Sequence, residues 1–306
     1  MQSVVIIEAN SLVKDYDKFR AVDNVSFKVY ERECFGFLGP NGAGKTTIMR
    51  MMHCVLPITS GELLVAGMNV KEKARDIKGL IGVVPQENNL DPDFTVLQNL
   101  LVFSRYFDIQ KDVAKKRATE LLEFFNLTEK MNVVIDHLST GMKRRLVIAR
   151  ALINEPKILI LDEPTTGLDP QARHLIWDRI KELQKIGVTI IITTHYMDEA
   201  AQLCGRIIIM DHGKIIEEGD PKSIVRKYAA KSVLEVTYTE ELLSYLKSTS
   251  PETREEVIGD RIHIYTEEPE RVLSAIMKVF TPKETLIRDA NLEDVFLKLT
   301  GRRLRE

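Results

Sequence analysis

The stretch Gly39-Pro40-Asn41-Gly42-Ala43-Gly44-Lys45-Thr46 has the residue types that hold a phosphate group. Glycines let the backbone turn so that successive N–H groups point at one anion. Lys45 adds a point charge for the outer phosphates, and the Thr46 hydroxyl suits a magnesium ion. The pattern G-x-x-x-x-G-K-[ST] carries weight when a strand precedes it and a helix follows. Both conditions are met. Phe35–Leu38 reads as a buried strand and Thr46–Val55 as an amphipathic helix, whose start adds a favourable dipole for an anion.

An acidic pair lies further along the chain. Ile158–Leu161 reads as a buried strand, with Asp162-Glu163 at its C-terminal end. Ligands of open α/β sheets bind beyond the carboxyl ends of the strands. Asp162 is therefore placed to hold a metal through its water shell. Glu163 is placed to orient or deprotonate an attacking water. Leu138-Ser139-Thr140-Gly141-Met142 precedes a helix expected over Lys143–Leu152, with Ser139 as its N-cap. That helix start is a second anion site.

Two structural units must position these residues. Up to about residue 230, Val- and Ile-rich runs alternate with helical patterns, which predicts an α/β domain with a mostly parallel sheet. Ile81–Val84 and Ile190–Thr193 join the two strands already named. Arg206–Met210 and Lys214–Glu217 flank Asp211-His212-Gly213, a hairpin signal. Asp220-Pro221 opens a helix running to about Tyr228. Residues 1–230 are thus one domain and 231–306 a small α+β domain. The second is expected to run strand Val233–Tyr238, helix Glu240–Lys247, strand Glu256–Ile258, strand Arg261–Tyr265, helix Pro269–Phe280, strand Glu284–Asp289 and helix Leu292–Leu299.

Composition narrows the class. The chain has 306 residues with 44% apolar and 29% charged content, which suits a globular fold. A formal net charge of −2 does not indicate a nucleic-acid partner. The longest apolar runs have strand length and fall short of the roughly 20 residues of a spanning helix. Met1–Asn10 has no basic flank before its apolar run and reads as a strand rather than a leader. Cys34, Cys54 and Cys204 are not close in sequence, so neither a disulfide framework nor a zinc site is expected, and a reducing cytoplasm is.

The Ser139 stretch resembles the signature motif of ABC (ATP-binding cassette) ATPases, commonly Leu-Ser-Gly-Gly-Gln. This chain departs from it at Thr140 and Met142 and keeps Ser139 and Gly141. A β-branched Thr140 restricts the backbone more than glycine does. The other family marks follow in order over about residues 4–228. Gln86 resembles the Q-loop glutamine, Asp169 in Gly167-Leu168-Asp169 the D-loop aspartate, His195 the switch histidine and Tyr16 the aromatic that stacks on adenine. The resemblance implies an ABC-type phosphate-loop ATPase cassette that uses ATP and Mg²⁺. It assigns Tyr16, Gly39, Pro40, Asn41, Gly42, Ala43, Gly44, Lys45, Thr46 and Thr47 to ATP. Thr46, Gln86 and Asp162 fall to the metal, the last through water, and Glu163, His195 and Gln86 to hydrolysis. Ser139, Thr140 and Gly141 would face the ATP of a second cassette in a head-to-tail dimer.

The family also implies a separate integral membrane permease as partner, at the cytoplasmic face of the membrane. The C-terminal unit, closing on Asn291 to Gly301, and the run Thr140 to Arg145 resemble the antibiotic-export branch of the daunorubicin-resistance type. An exporter subunit is the expectation. The alternative is a soluble ABC ATPase acting on ribosomes or nucleic acid. Most ribosomal members carry two cassettes, and the repair ATPases split theirs with a long coiled coil. A regulatory, non-catalytic cassette would lack Lys45 or Glu163, and both are present.

Overall fold

The apolar runs become strands in a computed structural model that describes residues 4–249 and 253–300. Met1 and Gly301, named above, lie outside the described residues. The first unit begins with β1 (Val5–Tyr16), β2 (Phe19–Tyr30) and β3 (Cys34–Leu38), then α1 (Lys45–Met52), β4 (Ser60–Val65) and β5 (Met68–Asn69). It continues through α2 (Ala74–Leu80), β6 (Ile81–Val84), α3 (Val96–Ser104), α4 (Lys111–Phe124) and α5 (Thr140–Ala151). It closes with β7 (Ile158–Asp162), α6 (Pro170–Lys185), β8 (Thr189–Thr194), α7 (Met197–Leu203), β9 (Arg206–Asp211) and β10 (Lys214–Gly219).

A six-stranded sheet in the order β10-β9-β3-β8-β7-β6 holds the parallel strands. Strands β3, β7 and β8 are buried at every position. Elements covered on both faces need unbroken apolar runs, which is why these strands lack alternation. His212 and Gly213 both have positive φ, the geometry of a type I′ turn between β9 and β10. A second, antiparallel sheet runs β2-β1-β4-β5. Phe27 of β2 meets Phe37 edge-on at 5.2 Å between centroids, and Phe37 meets Phe35 at 5.4 Å. This aromatic cluster joins the antiparallel sheet to the strand that feeds the phosphate loop.

Between Gln86 and Ser139 the chain forms α3 and α4. Thr95 and Gln98 close a reciprocal capping box at the start of α3. The helix expected from Lys143 starts at Thr140, because Ser139 caps it by accepting from Met142 N at 3.2 Å. The helix expected to reach Val55 stops at Met52, where His53 caps it and Cys54 turns left-handed at φ 57°. The fold also brings Cys34 and Cys204 together, both buried, with sulfurs 4.0 Å apart as free thiols. Sequence spacing gave no sign of that contact. The hydrogen bond with Cys34 and full burial push the Cys204 thiol well up, so it stays protonated at neutral pH.

Compact units meet at Glu218 and Gly219, earlier than residue 230, so α8 (Pro221–Tyr228) groups with the tail. The second unit continues with β11 (Ser232–Thr237), α9 (Glu240–Thr249), β12 (Arg254–Ile258), β13 (Arg261–Thr266), α10 (Pro269–Met277), β14 (Thr285–Asp289) and α11 (Leu292–Thr300). Its antiparallel sheet has the order β12-β13-β11-β14. From β11 to β14 the succession is the β-α-β-β-α-β of ferredoxin-like units. Leu234, Val236, Ile262 and Ile264 bury one sheet face with Leu242 and Leu246 of α9 and Ile276 of α10. The opposite face is charged. There the Arg288 fork meets both Asp294 oxygens at 2.8 and 2.9 Å and Glu235 at 2.7 Å.

His53 at the end of α1 provides a test of the first unit. Burial, with weaker repulsion from Lys78 and Arg50, lowers its pKa to about 4. The unfolded chain then binds a proton below about pH 6.5 that the folded chain refuses. This penalty is absent above pH 6.5 and grows as the pH falls toward 4. His53→Gln should therefore lose about 1–2 kcal/mol less stability than the parent chain between pH 7 and 5. Urea unfolding at the two pH values measures the difference.

Candidate active site

The loop from β3 to α1 is shaped by contacts that only glycine allows. Gly44 has φ 100°, and a Cβ there would meet Ala21 O at 2.6 Å. Gly42 has φ 81° and nothing within 4 Å of its Cβ position, so the loop stays open there. Gly44 caps α1 without a side-chain hydrogen bond, leaving the first N–H groups of the helix to an outside acceptor. Pro40 and Ala43 are buried, Asn41 is exposed, and Thr46 and Thr47 are half-buried. Lys45 is only 5% exposed and donates to Gly39 O at 2.7 Å and Pro40 O at 3.0 Å. Burial lowers its pKa, while Glu163 and Asp162 act to raise it. Its ammonium is folded back on its own loop, a short swing from the space above it.

Four segments converge on the end of β7. Thr46 Oγ1 donates to Asp162 Oδ1 at 3.2 Å, and the Thr193 hydroxyl also donates to that oxygen. Glu163 N donates to Thr193 O and to Thr193 Oγ1, each at 3.1 Å. Gln86 Nε2 and Thr166 Oγ1 both donate to Glu163 Oε2 at 3.2 Å. His195 Nδ1 lies 3.2 Å from Glu163 Oε1, off the direction of a well-formed hydrogen bond. The nearness of His195 is the main reason the Glu163 carboxyl lies below its ordinary range, with burial acting the other way. Glu163 is therefore ionised at neutral pH. Its backbone is left-handed, with φ 47°, unusual for a buried residue with a long side chain. The oxygens of Thr46 and Asp162 are hard donors that suit magnesium, which keeps several waters and phosphate ligands around few protein groups.

The other sequence-named residues stand apart from this cluster. Ser139 and Thr140 are exposed at the start of α5. Gly141 lets α6 come close, since a Cβ there would lie 3.1 Å from Ala172 Cβ. Asp169 is exposed and caps α6 by accepting from Ala172 N at 2.9 Å. The signature and the D-loop are thus neighbouring helix starts. Tyr16, at the end of β1, is 42% exposed with Lys14 Nζ 5.1 Å from its ring centre, so part of its ring is open to a planar ligand.

Sequence reasoning missed several supporting residues. Arg144 of α5 is buried, and its fork donates to five carbonyls. Nε reaches Pro164 O at 2.7 Å. Nη1 reaches Pro85 O at 2.5 Å and Gln86 O at 3.2 Å. Nη2 reaches Asp162 O at 2.9 Å and Glu163 O at 3.0 Å. Burial pushes its pKa down to about 10, still charged at neutral pH. Arg150 holds Asn89 O at 2.8 Å. Glu199 of α7, fully buried, accepts from Thr165 Oγ1 at 2.7 Å and Trp177 Nε1 at 3.0 Å. Arg144 stands in the basic run Lys143-Arg144-Arg145, and nothing in that run marks it as the buried one.

Comparison with known proteins decides the family. The sequence profile described as "ABC transporter" matches residues 22–166. That described as "Nodulation factor export protein NodI, C-terminal domain" matches residues 241–301. A Nod factor export ATP-binding protein I from Burkholderia thailandensis is 45% identical over 305 residues, covering 99% of this chain and 100% of that one. The chain belongs to the ABC transporter ATP-binding family. A Nod factor export ATP-binding protein I from Mesorhizobium japonicum is 44% identical over 306 residues, 99% of this chain and 89% of that one. Among solved structures, cbiO1 from Clostridium perfringens, part of an ABC transporter complex, matches with a TM-score of 0.68 at 28% identity, over 81% of this chain and 97% of that one. A dimeric post-hydrolysis cassette bound to ADP and phosphate matches at 0.64 and 29%, over 70% of this chain and 98% of that one.

The protein is accordingly an ABC ATPase subunit of an exporter, binding ATP and coupling its hydrolysis to transport. Full-length similarity to export proteins leaves the ribosomal alternative without support. As an ABC exporter subunit the ATPase works with a membrane component; among the described residues no helix is long and apolar enough to cross a membrane.

Arg144→Met tests the missed support. It would strand five carbonyls that now accept from one cation. Stability should fall by at least about 3 kcal/mol. Arg144→Lys should recover only part of this, because an ammonium cannot span the same acceptors. Denaturant unfolding of the three proteins measures it.

Proposed function

We propose that ATP with Mg²⁺ lies on the Gly39–Thr47 loop, its adenine against Tyr16. The outer phosphates draw Lys45 away from Gly39 O and Pro40 O. Thr46, Gln86 and, through water, Asp162 would hold the metal, which supplies positive charge against the phosphate oxygens. Glu163, kept ionised beside His195, accepts a proton from the attacking water. His195 then faces the departing phosphate with its imidazole. The observation that carries this reading is the meeting of Thr46, Asp162, Glu163, Gln86 and His195 at the carboxyl ends of adjacent parallel strands.

Ser139, Thr140 and Gly141 serve the ATP of a second copy of the cassette, with Asp169 beside them. The exposure of Ser139, Thr140 and Asp169 at two neighbouring helix starts supports a role in trans. The partner in the membrane is an integral permease, and the ATPase is peripheral on its cytoplasmic face. The relatives' names speak of Nod factor export. A cargo of that kind would be selected by the permease, since the chemistry recognised in this chain is directed at nucleotide.

Glu163→Gln should lower hydrolysis by about 10²–10⁴ while ATP still binds and holds two copies together. Steady-state phosphate release and size-exclusion chromatography with ATP test both halves. Hydrolysis close to the parent rate would remove Glu163 from the proposed role. Lys45→Ala should instead weaken ATP binding itself. Unchanged affinity by calorimetry would place Lys45 outside the phosphate site.

A further inference from the structure

Among the described residues the second unit's sheet ends at strand β14, which is hydrogen-bonded to β11 alone. Edge strands are usually blunted by charge, proline or a bulge, or are covered by other structure. Here the strand is regular through Thr285–Asp289, and Leu286 and Ile287 are 48% and 38% exposed. The ladder phase is set by two flanking bonds, Thr237 N to Glu284 O at 3.3 Å and Ala290 N to Lys231 O at 3.1 Å. Antiparallel pairs alternate in hydrogen bonding. Glu284, Leu286 and Arg288 therefore turn their backbone groups toward β11. Thr285, Ile287 and Asp289 turn theirs outward.

The charge pattern around this edge is complementary to itself. Reading outward from Leu286, Thr285 and Ile287 come first, then Glu284 and Arg288, then Lys283 and Asp289. Against a second copy related by a two-fold axis at Leu286, Glu284 opposes Arg288 twice, and Lys283, in the bend just before the strand, comes beside Asp289 at each end of the ladder. The outward-facing Thr285 and Ile287 then form a hydrogen-bonded pair, as the ladder requires. An axis at Ile287 would set Leu286 against Arg288 and Thr285 against Asp289, pairing no opposite charges. An axis at Arg288 would set that cation against itself. Opposite charges across a strand pair stabilise, and like charges oppose it. The Leu286 register also places leucine on leucine at the centre, beside an existing network in which Arg261 joins Glu284 at 2.5 Å and Arg288 joins Glu235 and Asp294.

We propose that β14 pairs antiparallel with β14 of a second copy, Leu286 opposite Leu286, giving an eight-stranded sheet across two tails. The pairing goes beyond the nucleotide sandwich and needs no ATP. It would keep two cassettes tethered while their nucleotide sites are apart.

Sedimentation of the full chain in chelator, without nucleotide, should show a concentration-dependent dimer. Lys283→Asp or Asp289→Lys alone turns both copies of one contact repulsive and should weaken it by about tenfold. The double variant Lys283→Asp/Asp289→Lys should return to within about threefold of the parent. Leu286→Cys should cross-link between copies under mild oxidation, because non-hydrogen-bonded partners sit within disulfide reach. Ile287→Cys should not. A nucleotide-free chain that stays monomeric overturns the proposal, and so do charge variants without effect. Cross-linking through Ile287→Cys in preference to Leu286→Cys overturns it too. A dimer that forms only with ATP would overturn this pairing and leave the nucleotide sandwich standing.

Discussion

One guanidinium fixes the relation between the helix that starts after Ser139 and the turn that carries Glu163. Arg144 is 4% exposed and sits one turn into α5, while the carbonyls it holds belong to Asp162, Glu163, Pro164, Pro85 and Gln86. A buried charge is tolerated only when its donors are satisfied, and a planar fork with five N–H groups is suited to several acceptors at once. The backbone of the β7 end, the Q-loop and the start of α5 must therefore move together or break these bonds. That rigidity lets a side chain as long as Glu163 be aimed.

A buried acid faces the same turn from the other side. Glu199 accepts from Thr165, just past Pro164, and from Trp177 on α6. Burial pushes its carboxyl up, against the pull of these donors. It binds α7, which follows His195, to α6, which follows Asp169. A base and an acid in separate helices thus link the turns after β6 and β7 to α5, α6 and α7. The framework connects the Gln86 loop to the turn at Glu163 through backbone carbonyls rather than exposed ion pairs.

Much of this was readable from sequence because it rests on local rules. The phosphate loop needs glycine at Gly42 and Gly44, lysine at Lys45, a strand before and a helix after. Each has a signature in residue type or period. The buried strands around Ile160 and Ile191 read as apolar runs because parallel sheets hide both faces. The tail's strands and helices also fall close to their expected ranges. What sequence did not show depends on long-range contact. The antiparallel sheet of β1, β2, β4 and β5 has uneven burial, with register shifts between β1 and its neighbours, which blurs alternation. The thiols of Cys34 and Cys204 meet only because β3 and the end of α7 become neighbours. The donors and acceptors of Arg144, Thr193 and Glu199 are chosen by the fold, and no spacing announces them. Tyr16 was legible only through family resemblance, since its surroundings here are exposed, whereas Ser139 read as a helix cap without it.

The left-handed backbone at Glu163 has a consequence for evolution and engineering. Holding a long side chain at φ 47° costs about 1–3 kcal/mol relative to a relaxed conformation, while the desolvation of its carboxylate is outweighed by His195 and the donors around it. The backbone strain does not serve the fold. Glycine fits this backbone without strain, so a chain selected for thermal tolerance alone would drift toward glycine here and lose its chemistry. If Glu163 has the role proposed for it, the residue that looks most awkward in the core marks where the protein has given up melting temperature for turnover.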